Sequence, residues 1–303
     1  MLERNNDRVA LLREALPFIQ KFKGSVFIVK LSGKVTDDSE LLHSIMEEVA
    51  LFHQVGFHVV VIHGGGKQLT NLAEQMGVEQ TIINGRRVTD SETLDLAKMV
   101  FMGKINTEIL STLRGLGIPS VGLSGLAGNI IRAKRREEQP VTDRTTGEKK
   151  MVDYGHVGDI EEIDAGLLKI LLNEGYIPVL SSLGADDEGN VFNINADTIA
   201  AEIAVELEAE KLLLLSDVDG IYRDFEDKSS HISKMTLEEA EALYNAKGVG
   251  AGMLPKIYAI INLLKRGVKA AHILNGKRQN VMLQEIFTVN GSGTMIARSD
   301  AQR

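Results

Sequence analysis

Val59-Val60-Val61-Ile62-His63-Gly64-Gly65-Gly66-Lys67 decides the reading of this chain. Four β-branched residues in a row make a short strand that is apolar on both faces, as a strand inside a parallel sheet must be. Three glycines end it at once, and Lys67-Gln68-Leu69-Thr70-Asn71-Leu72 then opens a helix. Strand, glycine turn and helix N-terminus in succession form a place to hold an anion. Glycine lets backbone N–H groups come close to a ligand, and the helix end adds partial positive charge. A tight turn without a ligand needs one glycine rather than three. The spacing fits neither G-x-x-x-x-G-K-[ST] nor G-x-G-x-x-G. By itself it predicts an anion near the carboxyl end of a parallel strand.

Upstream, Val26–Leu31 predicts another strand, with Lys30 inside it and Ser32-Gly33-Lys34 after it. Burying an ammonium is costly unless an anion meets it, so Lys30 reads as a phosphate-facing lysine. Glu40–Gln54 follows as the crossover helix, with Asp37, Asp38 and Ser39 as N-cap candidates, which makes a parallel βαβ unit. Ahead of it all, Val9–Phe22 has helical apolar spacing interrupted by Pro17.

Downstream, Gly85-Arg86-Arg87-Val88-Thr89-Asp90 precedes a long helix over Ser91–Leu113, for which Thr89-x-x-Glu92 reads as a capping box. Arginine grips a carboxylate bidentately, and a solvated basic turn is the commoner fate of such a pair. Ile118–Leu123 predicts a strand. Ile130–Asp159 reads as a pair of hairpins around a turn at Asp143-Arg144-Thr145-Thr146-Gly147. A helix (Asp164–Asn173), a strand (Ile177–Ser182) and a turn (Asp186–Asn190) lead to Asn193-Ile194-Asn195-Ala196-Asp197. There two amides alternate to one side and a carboxylate opens the next helix. Lys211–Leu215 is a second apolar strand, ending in Ser216-Asp217-Val218-Asp219-Gly220. Those acids face a nucleotide or its metal, or build an Asx-rich turn. Thr236-x-x-Glu239 is a capping box. The glycine run Gly248–Met253 enters a helix carrying Lys256 in its first turn. Val268–Leu274 and Gly293–Ile296 close the sheet.

Two lysines at glycine-rich strand and helix ends, without a P-loop, point to phosphoryl transfer by positioning and charge. Composition narrows the field. With 303 residues the chain builds a sizeable core, and 44% hydrophobic with 25% charged residues is ordinary for a globular protein. A net charge of −8 gives nucleic acid no electrostatic support, and the absence of cysteine excludes disulfides and thiolate zinc sites. No run reaches transmembrane length and no signal-peptide pattern leads the chain, so a cytoplasmic protein is expected.

These pieces together resemble the amino acid kinase family. The matching stretches are Lys30-Leu31-Ser32-Gly33, His63-Gly64-Gly65-Gly66, Gly85-x-Arg87-Val88-Thr89 and Asn193-x-Asn195-Ala196-Asp197. Further on come Leu214–Ile221, Gly252-Met253-Leu254-Pro255-Lys256 and Gly291-x-Gly293-Thr294-Met295-Ile296. The resemblance implies a three-layer α/β sandwich around a central, mainly parallel eight-stranded sheet. It implies an extension helix over 1–22, an N-terminal lobe over 23–186 for an acyl amino acid and for dimerisation, and a C-terminal lobe over 187–303 for ATP. The implied reaction is ATP-dependent phosphorylation of the γ-carboxylate of N-acetyl-L-glutamate, a step of arginine biosynthesis. Magnesium would arrive on the nucleotide phosphates. Lys30 and Lys256 would neutralise the migrating phosphoryl group with Asp197 holding them. Gly33, Gly65 and Gly66 would donate N–H groups, and Arg87 and Asn193 would bind the substrate carboxylate. Ser216, Asp217, Asp219, Gly220 and Lys256 would line the ATP site. No general base is needed, because the acceptor carboxylate is ionised at neutral pH, so His63 reads as structural.

The chain departs from the common pattern at Ser32, at Leu126-Ala127 and at Arg86. The resemblance also implies a homohexamer inhibited by L-arginine, with the N-terminal helix interlacing dimers and Phe18, Glu285 and Gly291 at the effector site. Alternatives are a kinase for a related blocked amino-dicarboxylate, such as an aminoadipate derivative, and a non-catalytic arginine-sensing domain. The latter is expected to lack the first lysine, which is present here.

Overall fold

The computed structural model describes residues 13–83, 86–142, 149–224, 226–246 and 253–299. Residues 9–12 of the expected first helix, Gly85, the turn Asp143–Gly147 and most of the glycine run Gly248–Met253 lie outside the described residues.

Eight strands build the central sheet: β1 (Val26–Leu31), β2 (His58–His63), β3 (Ser120–Ser124), β4 (Ile177–Ser181), β5 (Lys211–Ser216), β6 (Lys234–Thr236), β7 (Ala270–Asn275) and β8 (Thr294–Ala297). Their order is β6-β8-β7-β5-β1-β2-β4-β3. From β3 to β7 every neighbouring pair is parallel; β8 runs antiparallel to β7, and β6 is parallel to β8. The first half of the chain thus forms one side of the sheet and the second half the other, and they meet where β1 pairs with β5.

Alternation along the strands shows why both faces are covered. Phe27, Val29, Val59, Val61, Leu213 and Leu215 enter one core. Ile28, Val60, Ile62, Leu212 and Leu214 enter the other. A strand apolar at successive residues can satisfy both only when helices cover both sides. Helix α3 (Ser39–Gln54) and helix α11 (Val281–Phe287) close the first core. Helices α8 (Ala196–Glu206) and α10 (Leu254–Lys265) close the second. The chain leaves β1 along one face and moves to β2; after β5 it passes through the edge strand β6 and returns along the other face to β7. The carboxyl ends of β1 and β5 are therefore a topological switch point, where an open α/β sheet leaves a crevice for a ligand.

Several elements follow the sequence closely. Asp38 caps α3, accepting from the N–H of Glu40 and Leu41. Thr236 and Glu239 form both bonds of a capping box. Ile131–Arg135 pairs with Gly158–Ile163 and Gln139–Thr142 with Lys149–Val152, which are the two hairpins.

Others differ. Residues 13–22 stay helical through Pro17, whose missing N–H costs only the bond to Arg13; Lys23 N–H still donates to Ile19 at 3.0 Å. Asp90, not Thr89, caps the helix that follows, accepting from Thr93 N–H. Thr89 is buried and pairs through its backbone with Tyr154 and His156. That helix is not continuous. Ser91–Lys98 and Thr107–Gly115 are α-helical, and Met99–Asn106 between them has wider i→i+5 turns, a geometry that gathers at functional sites. Here it packs on the glycine turn: a Cβ on Gly65 would lie 2.5 Å from Ile105 Cδ1 and 2.6 Å from Phe101 Cδ1.

Gly65→Ala should therefore lower the melting temperature, as an overpacked core costs about 1–3 kcal/mol. Gly66→Ala, whose Cβ would meet nothing within 4 Å, should be close to neutral in thermal unfolding. Equal effects would contradict the packing account.

Candidate active site

The charged residues singled out above gather at the switch point. Lys30, near the end of β1, has a side chain 16% exposed, and its Nζ lies 2.6 Å from Asp197 Oδ1. Asp197 sits in the first turn of α8, opened by Asn195, whose side chain accepts from the N–H of Asp197 and Thr198. Asn195 is thus a helix cap. Gly64 stands against that helix start, with a Cβ on it only 3.5 Å from Ala196 Cβ.

Lys256 arrives from the other side, in the first turn of α10, and donates to Ser216 Oγ at 2.8 Å. Burial pulls its pKa down, Asp197 raises it, Lys30 lowers it and Asp217 raises it. Lys30, Asp197, Lys256 and Asp217 therefore form one electrostatic cluster, and each ammonium has a partner to offset its desolvation. Asp217 pairs with Lys34 Nζ at 2.6 Å, and that lysine, first among the causes, holds the carboxyl below the ordinary carboxylate range. The Ser32 hydroxyl is buried and finds no hydrogen-bond partner.

Asp219 accepts from Asn275 Nδ2 at 2.9 Å and lies 3.8 Å from Arg278. Gly220 has φ +143°, and a Cβ there would be 2.4 Å from Thr294 Oγ1, so only glycine fits. Gly33 lies at the start of the short helix Gly33–Asp37, its carbonyl accepting from Gln68 Nε2. Among the described residues no group of three or more His, Cys, Asp or Glu is placed to hold a metal ion.

Arg87 is half-buried beside the glycine turn. It donates to Gln80 Oε1, to Gly66 O at 2.9 Å and to Thr70 Oγ1 at 2.7 Å. Gln80 and Thr70 gave no signal as site residues in the sequence, because neither lies in a glycine turn. Asn193 Nδ2 donates to Thr89 Oγ1 at 3.3 Å, which joins it to the segment two residues beyond Arg87. His63 is buried with Nδ1 on Gly64 O and Nε2 on Asn106 Nδ2, and burial pushes its pKa down to about 4. It is a neutral brace under the turn.

The residues expected at an effector site lie elsewhere. Glu285 is buried, with Oε1 on His272 Nδ1 at 2.7 Å and Oε2 accepting from the N–H of Ser292 and Gly293. His272 Nε2 lies 3.1 Å from Lys211 Nζ, which in turn stands 5.2 Å over the Phe22 ring at the end of the first helix. Glu285 is thus the end of a buried chain of polar side chains. Phe18 packs partly buried against the first core. Gly291 N–H donates to Thr288 Oγ1.

Comparison with known proteins agrees with this geometry. The amino acid kinase family matches residues 25–275. An acetylglutamate kinase of Methanocaldococcus jannaschii is 44% identical over 96% of this chain and 97% of its own. One from Thermosynechococcus vestitus is 40% identical over 98% and 96%. Among solved structures, N-acetylglutamate synthase from Neisseria gonorrhoeae, complexed with coenzyme A and L-arginine, superposes with a TM-score of 0.80 at 29% identity. It covers 96% of this chain, which spans 65% of that synthase. The fold and the relatives are those of phosphotransferases outside the P-loop class. The chain belongs to the amino acid kinase family.

Neutral His63 favours the folded state fully above its unfolded pKa of 6.5, and that contribution is lost as pH falls towards 4. Buried Glu48, pushed up to about 7 by burial, works in the opposite sense: its contribution is full below 4.5 and lost as pH rises through 7. The difference between wild type and His63→Gln isolates the first effect. In urea unfolding the penalty of His63→Gln should shrink between about pH 7 and pH 5. A penalty independent of pH would contradict a neutral buried imidazole.

Proposed function

We propose that the protein transfers the γ-phosphoryl group of ATP to the γ-carboxylate of N-acetyl-L-glutamate, giving N-acetyl-L-glutamyl 5-phosphate for arginine biosynthesis. The observation that carries this reading is the pair Lys30–Asp197 beside Lys256 at the β1/β5 switch point. Full-length acetylglutamate kinase relatives at 40–44% identity supply the acceptor.

In this reading the lobe over 23–186 holds the acyl amino acid and that over 187–303 the nucleotide. The acceptor carboxylate is already anionic at neutral pH, so it attacks without losing a proton. Lys30 and Lys256 meet the negative charge spread over the migrating group, and Asp197 holds the ammonium groups in place and keeps their repulsion in check. The N–H groups of Gly33, Gly65 and Gly66 complete the cradle. Ser216, Asp217, Asp219 and Gly220 line the nucleotide side. Magnesium comes in on the phosphates. Arg87, with Asn193 beside its strand, takes a substrate carboxylate.

Hydroxylamine traps an acyl phosphate as a hydroxamate. With ATP and magnesium, N-acetylglutamate should give more hydroxamate than N-acetylaspartate or N-acetylaminoadipate; a preference for the longer acid would assign the acceptor differently. Lys30→Ala and Lys256→Ala should each lower kcat by orders of magnitude, since a lost positioned charge costs roughly 3–4 kcal/mol. Near wild-type turnover in either variant would remove that lysine from the mechanism. Arg87→Lys should raise KM for N-acetylglutamate far more than KM for ATP, because lysine offers a point charge where a fork is needed. Equal effects would make Arg87 structural.

A regulatory reading is favoured by the superposed synthase with L-arginine and by the buried path from Phe22 through Lys211 and His272 to Glu285. We propose that L-arginine inhibits the enzyme near Phe18, Glu285 and Gly291, and that the first helix links dimers into a hexamer. The ligand must bind one arrangement better than the other to shift anything. Phe22 is a core residue, so a truncation should stop before Phe18. Deleting residues 1–17 should give an active, arginine-insensitive dimer in light scattering and rate measurements. A full-length dimer indifferent to arginine would sink this reading.

A further inference from the structure

Lys34 has no place in the chemistry described so far, yet it stands on the same rim. It follows β1 directly, two residues beyond Ser32, and its Nζ bridges to Asp217 at the end of the neighbouring strand β5. The pair spans the line along which the two halves of the sheet meet. An exposed ion pair of this kind contributes little to stability, so folding does not account for its position. Lys34 and Asp217 side chains are 50% and 46% exposed, against 16% for Lys30. Lys30 is thus fixed at the inner end of the cluster, and Lys34 is the outer, movable cation.

The charge count gives it work to do. Three ammonium groups (Lys30, Lys34, Lys256) face two carboxylates (Asp197, Asp217). Without Lys34 the cluster is neutral, and Asp217 would present an uncompensated charge to an incoming anion. With it the cluster carries one net positive charge. Lys34 also lines a cleft of about 480 Å³ together with Lys67 and Lys277 and the acids Asp37, Asp38 and Glu40. The buried, unpartnered hydroxyl of Ser32 lies two residues away. A strand end where three ammonium groups meet two carboxylates, beside an open cleft, suits a polyanion longer than the single transferred group.

We propose that Lys34 is a further phosphate-binding residue of this enzyme: it leaves Asp217 to grip the polyphosphate of the nucleotide beyond the transferred group. Asp217 is its positioning residue, holding the ammonium at the rim until the nucleotide arrives. This rests on the kinase reading above.

Calorimetric titration of the full chain with magnesium ADP, and separately with AMP, tests it. Lys34→Met keeps the aliphatic stem and removes the charge. It should weaken magnesium ADP roughly tenfold, the size of one charged hydrogen bond, while leaving AMP unchanged. Lys34→Arg should recover most of the loss. In steady state Lys34→Met should raise KM for ATP and leave KM for N-acetylglutamate as it is. Its thermal midpoint should match wild type, because the side chain is half exposed. Lys34→Met that binds magnesium ADP as wild type does, or that loses ADP and AMP equally, would overturn the assignment while leaving the kinase reading intact. A wild-type chain that binds no magnesium ADP would overturn both.

Discussion

An ammonium near the end of a strand buried on both faces is the constraint on which the rest depends. Lys30 belongs to β1, on the same face as Ile28, which enters one core, while its neighbours Val29 and Leu31 enter the other. Its side chain is only 16% exposed, so its ammonium is partly desolvated, and Asp197 meets it with a carboxylate at 2.6 Å. To deliver that carboxylate, α8 must begin beside the ends of β1 and β2. The cap by Asn195 and the close approach of Gly64 to Ala196 fix that start. Removing one partner would leave the other charge partly desolvated and unpaired, which is unfavourable. The same two residues therefore hold the sheet's crevice together and set its charge.

Around this pair the molecule divides its tasks by strand order. The halves of the chain lie side by side and meet at β1 and β5. Every charged group of the cluster comes from an element that ends or begins at that seam. The glycine turn after β2 is kept open by bulk pressed against Gly65 from Met99–Asn106 and is braced from below by His63 and Asn106. A rigid apolar scaffold thus presents a flexible cationic rim. That division suits phosphoryl transfer, in which the protein contributes position and charge rather than a covalent nucleophile.

Much of this was legible in the residues. Val26–Leu31 and Val59–Ile62 announce central strands because nothing else tolerates such apolar runs, and Thr236 with Glu239 announces a helix start because the box satisfies two N–H groups locally. Lys30, Asp197 and Lys256 stand out for the same local reason, being charges where glycine or apolar neighbours predominate. What was not legible depends on distant contacts. Asp90 takes the cap because Thr89 is drawn into a bridge with Gly155, sixty-odd residues on. The wide turns at Met99–Asn106 exist to meet Gly65 and Gly122, and no local period marks them. The burial of Glu285 comes from His272 and from the turn at Ser292–Gly293, neither of which any local sequence pattern ties to it.

The central claim is that charge alignment, without a general base, carries the transfer. A kcat–pH profile in saturating ATP and N-acetylglutamate tests it most directly. The account predicts a flat acid side down to about pH 5, since the acceptor carboxylate ionises near 4.3 and the lysines stay charged. Activity should fall only on the alkaline side, where Lys256, its pKa lowered by burial and by Lys30, gives up its proton first. An acid limb near neutrality, reporting a group that must lose a proton before turnover, would contradict it.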